Sequence, residues 1–246
     1  MQNSKTFLLV VLGILAAFGP FVTDMYLPGL PAMTAYFGTT ASMVQLGITT
    51  AMLGLAFGQI IVGPLSDKYG RRKPLLLSLG VFFFSTIGCI FSWNVEVFIF
   101  FRFLQGMAGA GGIVISRSVA TDCYSGKELA KAFAMISAVN GLAPIIAPIV
   151  GGVLLKFTNW QGIFFALLVL GILLLLLCGR LKESLPREKR ITISAFSSFQ
   201  TFLPLLVKRK FMSYVWVQAL ILGVIFAYIS SCLLYTSPSP RDSTSS

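Results

Sequence analysis

Two ionisable residues lie in strongly apolar surroundings: Asp24, at the end of the first apolar run, and Arg102, inside a later one. An ionisable side chain within a membrane-length run is costly and ordinarily faces a cavity or a partner. Asp24 is the only carboxylate of its run. It could take up and release a proton and could also attract a cation, so proton and cationic ligand would exclude one another there, as an exchanger requires. The plainer alternative is an interfacial acid capping the outer helix end ahead of Pro28. Arg102 offers a fixed positive charge that could hold a carboxylate, an anion or a water for proton transfer. Its alternative is an arginine that snorkels to the interface, because it lies only several residues inside its run. A third cluster is the basic connection from Gly63 to Pro74, where Asp67 and Arg71 are close enough in sequence for charge pairing. Gly70 within it can take a positive φ that other residues resist. The chain has no histidine, and Cys89, Cys123, Cys178 and Cys232 are too far apart for a Cys-x-x-Cys site. Neither a metal centre nor a disulfide framework is indicated.

The elements that must position these groups follow from composition. Of 246 residues, 56% are hydrophobic and 11% charged, and mean hydropathy is +0.87. A soluble domain would carry roughly 25% charged residues, so that class is excluded. A bilayer core takes roughly 20 apolar residues per helix, which gives room for six or seven spans and not for twelve. The runs are Phe7 to about Tyr26, Met43 to Ile61, Leu75 to Phe91, Val97 to Val119, Ala130 to Leu155, Ile163 to Cys178, and Phe211 to Ser231. The first also has the look of a signal peptide, but it is longer than the usual apolar core of one and further spans come after it, so it reads as uncleaved.

The net charge of +11 arises from 19 Lys and Arg against 8 Asp and Glu. Its placement fits topology better than nucleic acid, since no aromatic-interleaved basic stripe accompanies it. Lys68, Arg71, Arg72 and Lys73 follow the second run, Lys127 and Lys131 the fourth, and the Arg180 to Lys210 cluster the sixth. The positive-inside rule places those connections and the N-terminus in the cytoplasm. The expected organisation is a six-helix bundle over 1–179, a basic cytoplasmic linker over 180–210, and a seventh span over 211–231. The abrupt polar tail at 232–246, beginning Cys-Leu-Leu-Tyr-Thr-Ser-Pro-Ser-Pro, resembles a translated sequencing adapter and is expected to be an artefact. On that reading the chain is the first half of a larger protein.

Four segments carry a family resemblance. Gly63-Pro64-Leu65-Ser66-Asp67-Lys68-Tyr69-Gly70-Arg71-Arg72-Lys73 resembles the signature loop of the major facilitator superfamily, and Arg102-Phe103-Leu104-Gln105-Gly106 its buried-arginine motif. Asp24-Met25-Tyr26-Leu27-Pro28-Gly29-Leu30-Pro31, and Asn140-Gly141-Leu142-Ala143-Pro144 through Pro148, Gly151 and Gly152, resemble motifs of the drug:proton antiporters of the Bcr/CflA type. The resemblance covers Met1 to about Ser231.

It implies an all-helical integral membrane fold: the N-terminal six-helix bundle of a major facilitator protein followed by the first helix of the second bundle. It further implies that Gly63, Asp67, Gly70, Arg71 and Arg72 form a gating loop, with Asp122 as a third charged partner, and that Asp24 and Arg102 couple protons to substrate. Pro144 and Pro148, four apart on one helical face, each remove a backbone bond and should bend their helix. Gly141, Gly151 and Gly152 would allow another helix to approach closely. The implied activity is proton-gradient-driven export of drugs or other small molecules across a bacterial inner membrane by alternating access. It would use no cofactor, metal or nucleic acid, and the family suggests a monomer. Half of a transporter would be inactive alone. A metabolite exporter for sugars, amino acids or small peptides would share these motifs, and a helical scaffold without a transport cycle is the alternative outside transport. A membrane enzyme would need clustered nucleophiles, acids or metal ligands, and none is visible.

Overall fold

The computed structural model describes residues 5–191 and 207–236, which contain helices and no strand. The chain divides into two compact units, Met1–Thr192 and Ile193–Ser246. In the first unit, α1 (Lys5–Asp24) is followed by a 3-10 turn (Leu27–Gly29) and the short α2 (Leu30–Phe37). Long helices come next: α3 (Ala41–Tyr69), α4 (Arg72–Ile90), α5 (Val95–Cys123), α6 (Gly126–Leu155) and α7 (Trp160–Gly179). Among the described residues six spans are long and apolar enough to cross a membrane, the first running from Phe7 through Phe37. The second unit contains α8 (Arg209–Thr236).

Local sequence explains the helix starts. Side chains of Thr40, Asn94 and Asn159 accept from the backbone N–H of Met43, Val97 and Gly162, capping α3, α5 and α7. Such caps satisfy donors that the first helical turn leaves unpaired. α5 is the central helix, packed against α1, α3 and α4. Its contact with α3 is a seam of bare backbone: a Cβ at Gly54 would meet the carbonyl of Phe103, one at Gly58 that of Met107, and one at Gly106 that of Ala51. Small residues allow helices in a membrane to approach in this way. Thr50 Oγ1 adds a bond across the seam to the Ile99 carbonyl at 3.3 Å. At one end Trp160, Phe164, Phe98, Phe37 and Tyr26 form a cluster of ring contacts with centroids 5.4–6.2 Å apart.

Several expected boundaries shift. The stretch from Gly63 to Pro74 is not a turn throughout: α3 runs on to Tyr69 and α4 begins at Arg72, leaving two residues to reverse the chain. Gly70, at φ +89°, makes that reversal possible. The segment after α7, expected to begin a separate linker at 180, belongs to the first unit as far as Thr192. Residues 192–206 of that linker lie outside the described residues. α8 begins two residues before the expected 211 and continues through Thr236, so the first residues of the supposed tail are helical; 237–246 lie outside the described residues.

Candidate functional site

α1 ends at Asp24, and a helix leaves carbonyls of its last turn without helical donors. One of them, on Val22, accepts from Arg102 Nη1 at 2.9 Å. Arg102 comes from the first third of α5 and is 0% exposed, so it does not snorkel. A cation at a helix C-terminus is also favoured by the helix dipole. The same Nη1 donates to Gln105 Oε1, Gln105 Nε2 donates to Thr86 Oγ1 at 2.8 Å, and Thr86 Oγ1 donates to the Phe82 carbonyl at 2.7 Å. This chain of bonds joins α1, α5 and α4. The guanidinium lies over the Tyr26 ring, 4.2 Å from its centroid, and 5.8 Å from that of Phe164, within cation–π range.

The site is closed in but not fully paired. Among the described residues, buried Arg102 Nε and Nη2, Asp24 Oδ2 and the Tyr26 hydroxyl have no hydrogen-bond partner. Asp24 is 1% exposed and within electrostatic reach of Arg102, although no ion pair joins them among the described residues. Asp24 is not a helix cap either, because neither the 3-10 turn nor α2 takes a side-chain cap. Buried polar atoms left open in this way suit a proton, a water or a ligand group.

The second cluster lies at the opposite end of the bundle. Arg71 is 8% exposed. Its Nε and Nη2 grip both oxygens of Asp122, at 2.8 and 3.3 Å, while Nη1 reaches Asp67 and, at 2.8 Å, Ser66 Oγ. Burial works against the charge on Arg71, but the bonds it donates to Asp122 and Asp67, and their charges, outweigh it and hold the group above its ordinary value. Arg72 turns elsewhere, with Nη2 donating to the Gly179 carbonyl at the end of α7. Gly63 sits within α3, where a Cβ would meet nothing; its carbonyl accepts from Ser66 Oγ at 2.8 Å. Asp122 lies twenty residues beyond Arg102 on α5, about 30 Å at the helical rise, so one helix carries both clusters.

The residues of the expected α6 group lie along one helix. α6 is helical from Gly126 through Leu155 with Pro144 and Pro148 inside it. Gly151 alone makes a close approach, its Cβ position meeting the Met25 carbonyl; at Gly141 and Gly152 a Cβ would find open space. The two glycines therefore do not serve packing within this bundle. A cavity of about 450 Å³ between α1, α6 and α7, lined by residues such as Leu9, Gly13, Phe21, Met135 and Leu170, is almost wholly apolar and includes neither Asp24 nor Arg102.

Gln105 and Tyr26, visible in the sequence only as members of motifs, and Thr86 and Glu183, in none of them, also take part. Gln105 was within reach, being one turn from Arg102 on the same helix face. Thr86 and Glu183 act from other helices or segments, and no local spacing announces them.

Six apolar helices of membrane-crossing length, with a buried, part-satisfied arginine on one of them and an interhelical ion-pair cluster at its far end, define a polytopic membrane protein. Residues 12–241 match the Major Facilitator Superfamily model, and the chain belongs to that family of transporters. It is 44% identical over 223 residues to the uncharacterized MFS-type transporter YdgK of Bacillus subtilis, covering 89% of this chain and 56% of the relative. It is 32% identical over 232 residues to the bicyclomycin resistance protein homolog of Haemophilus influenzae, covering 94% and 58%. The chain thus spans a little over half the length of these relatives. Among solved structures it resembles the proton:xylose symporter XylE, with a TM-score of 0.65 at 15% identity over 73% of this chain and 45% of that one. The fold is accordingly the N-terminal bundle of a major facilitator protein with the first helix of the next unit.

Proposed function

We propose that these residues form the first half of a proton-coupled exporter of drugs or related small molecules in a bacterial inner membrane, with the N-terminus in the cytoplasm. The observation that carries the reading is the buried juxtaposition of Asp24 and Arg102, each with a polar atom left open, in a chain similar to a bicyclomycin resistance protein homolog. Arg102 is fixed by Val22 and Gln105, so it supplies a standing positive charge. Asp24, beside it, is the group that exchanges a proton for substrate. Binding of either to the same carboxylate excludes the other, and that exclusion couples the two fluxes. Asp67, Arg71 and Asp122 form the gate on the cytoplasmic side. Pro144 and Pro148 bend α6. The proton gradient is the sole driving force, without a cofactor, and a monomer comprising both bundles is the working unit.

The test is proton-dependent efflux in everted vesicles bearing the full-length transporter read from the source gene, with Asp24→Asn and Arg102→Ala alongside; the 246 residues alone should show none. The expected result is drug efflux that collapses with the proton gradient and is absent from both variants. Efflux indifferent to the gradient would refute proton coupling. Competition by sugars, amino acids or peptides but not by drugs would move the substrate to a metabolite. Variants indistinguishable from the parent would point to a scaffold.

A further inference from the structure

α4 begins badly for a helix. Its first residues are Arg72 and Lys73, its N-cap is Arg71 with no side-chain cap of its own, and its first turn has no acid. The dipole at a helix N-terminus favours negative charge, and the free backbone N–H groups need acceptors. Both are supplied from more than a hundred residues away. Glu183, just beyond α7, accepts from the backbone N–H of Arg71 at 2.7 Å through Oε1 and from that of Arg72 at 3.2 Å through Oε2. Its Oε1 also accepts from Leu185 N at 3.2 Å, and Arg190 Nη2 lies 3.8 Å from Oε2.

The neighbours of Glu183 complete the arrangement. Ser184 Oγ donates at 3.0 Å to Asp122 Oδ2, the oxygen that Arg71 Nε also holds. Ile191 N donates to the Asp67 carbonyl at 3.1 Å. The segment leaving α7 therefore touches each member of the ion-pair cluster: Arg71 through Glu183, Asp122 through Ser184 and Asp67 through Ile191. Gly70 fits the same arrangement, since a Cβ there would run into the Glu183 carboxylate and come within 2.8 Å of Arg190 Nη2.

We infer that Glu183 is a positioning residue of the Arg71–Asp122 latch: it fixes the Arg71 backbone so that the guanidinium reaches Asp122, and it makes the segment leading out of the first unit a working part of the latch. Movement of that segment and release of Arg71 are then one event. The inference rests on the reading of Asp67, Arg71 and Asp122 as the gate and not on proton coupling, so it stands or falls without a transport assay.

Cys123 provides the probe. It adjoins Asp122 and lines the cavity of about 340 Å³ that also contains Arg71 and Glu183, and it is exposed while Cys89 and Cys178 are buried. With Cys232→Ser as parent, the chain is placed in lipid nanodiscs, where both faces are open, and the rate of maleimide labelling at Cys123 is followed. Glu183→Ala should label about tenfold faster, in keeping with the loss of hydrogen bonds to a charged group. Glu183→Gln, which keeps the shape and one acceptor, should fall between and shows that lost charge alone is not the cause. Arg187→Ala, on the same segment but outside the latch, should label as the parent does. In an Arg71→Ala background Glu183→Ala should add nothing, because the two act in series. A role confined to stabilising α4 would instead give additive accelerations. Parent-like rates in both Glu183 variants, or additivity with Arg71→Ala, would overturn the inference; if Glu183→Ala does not fold, a parent-like rate in Glu183→Gln is sufficient to do so.

Discussion

Arg102 on α5 donates to the carbonyl oxygen of Val22 at 2.9 Å, in the last turn of α1. The cation therefore closes a helix end as well as occupying a membrane interior. Its geometry depends on a guanidinium, which presents several donors in a rigid plane, whereas a lysine presents a compact ammonium on a flexible stem.

Arg102→Lys should accordingly behave like Arg102→Ala. In the vesicle assay both are expected to lose proton-dependent efflux, although the charge survives in the first. Parent-like efflux by Arg102→Lys would mean that charge alone matters and that the bonds to Val22 and Gln105 are incidental.

Thr86 is the far anchor of the same chain of bonds. Thr86→Val leaves a Gln105 donor without its acceptor in a buried site and should cost about 1–3 kcal/mol. Thr86→Ser keeps the hydroxyl and should cost little. Thermal unfolding of the two purified variants measures the difference, and equal melting temperatures would refute the role given to the hydroxyl.

The glycines of the bundle should divide into two groups under substitution by alanine. Gly106→Ala forces a methyl against the Ala51 carbonyl and should destabilise by about 1–3 kcal/mol, as overpacking does. Gly141→Ala and Gly152→Ala meet open space and should be neutral or slightly stabilising, since alanine favours the helix by roughly 1 kcal/mol over glycine. A loss of efflux in these two without loss of stability would locate their role outside this bundle.

At the basic end, a double-mutant cycle on Arg71 and Asp122 should return a coupling of about 1.5–3 kcal/mol, the range for hydrogen bonds to charged groups. The pair is bidentate, and the side chains are only 10% and 13% exposed. Coupling near zero in chemical unfolding would place the pair among ordinary surface ion pairs, which contribute little.

The six spans of the first unit were legible because each contains a long apolar run set off by polar or charged residues, and so was the meeting of Asp67, Arg71 and Asp122, through resemblance to a known loop. Helix ends were harder. Asp67 and Lys68 look like loop residues by polarity, yet α3 carries them because its next break is at Gly70. Arg102 was visible as a cost, but whether it would snorkel depended on the end of α1, which local sequence does not reveal. Glu183 read as one charge in a basic linker. Its role depends on a chain reversal that brings residue 183 under residue 71, and nothing within a few residues of either encodes that meeting. The α6 motif conceals a difference: Gly141, Gly151 and Gly152 look alike in sequence, but only the helix face carrying Gly151 turns toward Met25.

Gly70 and Glu183 claim the same small volume. A side chain at 70 and a carboxylate at 183 are mutually exclusive tenants, so the two positions should vary as one character through the history of the family. A relative with a larger residue in place of Gly70 should have a shorter one in place of Glu183, and should start α4 with an acid or a serine of its own.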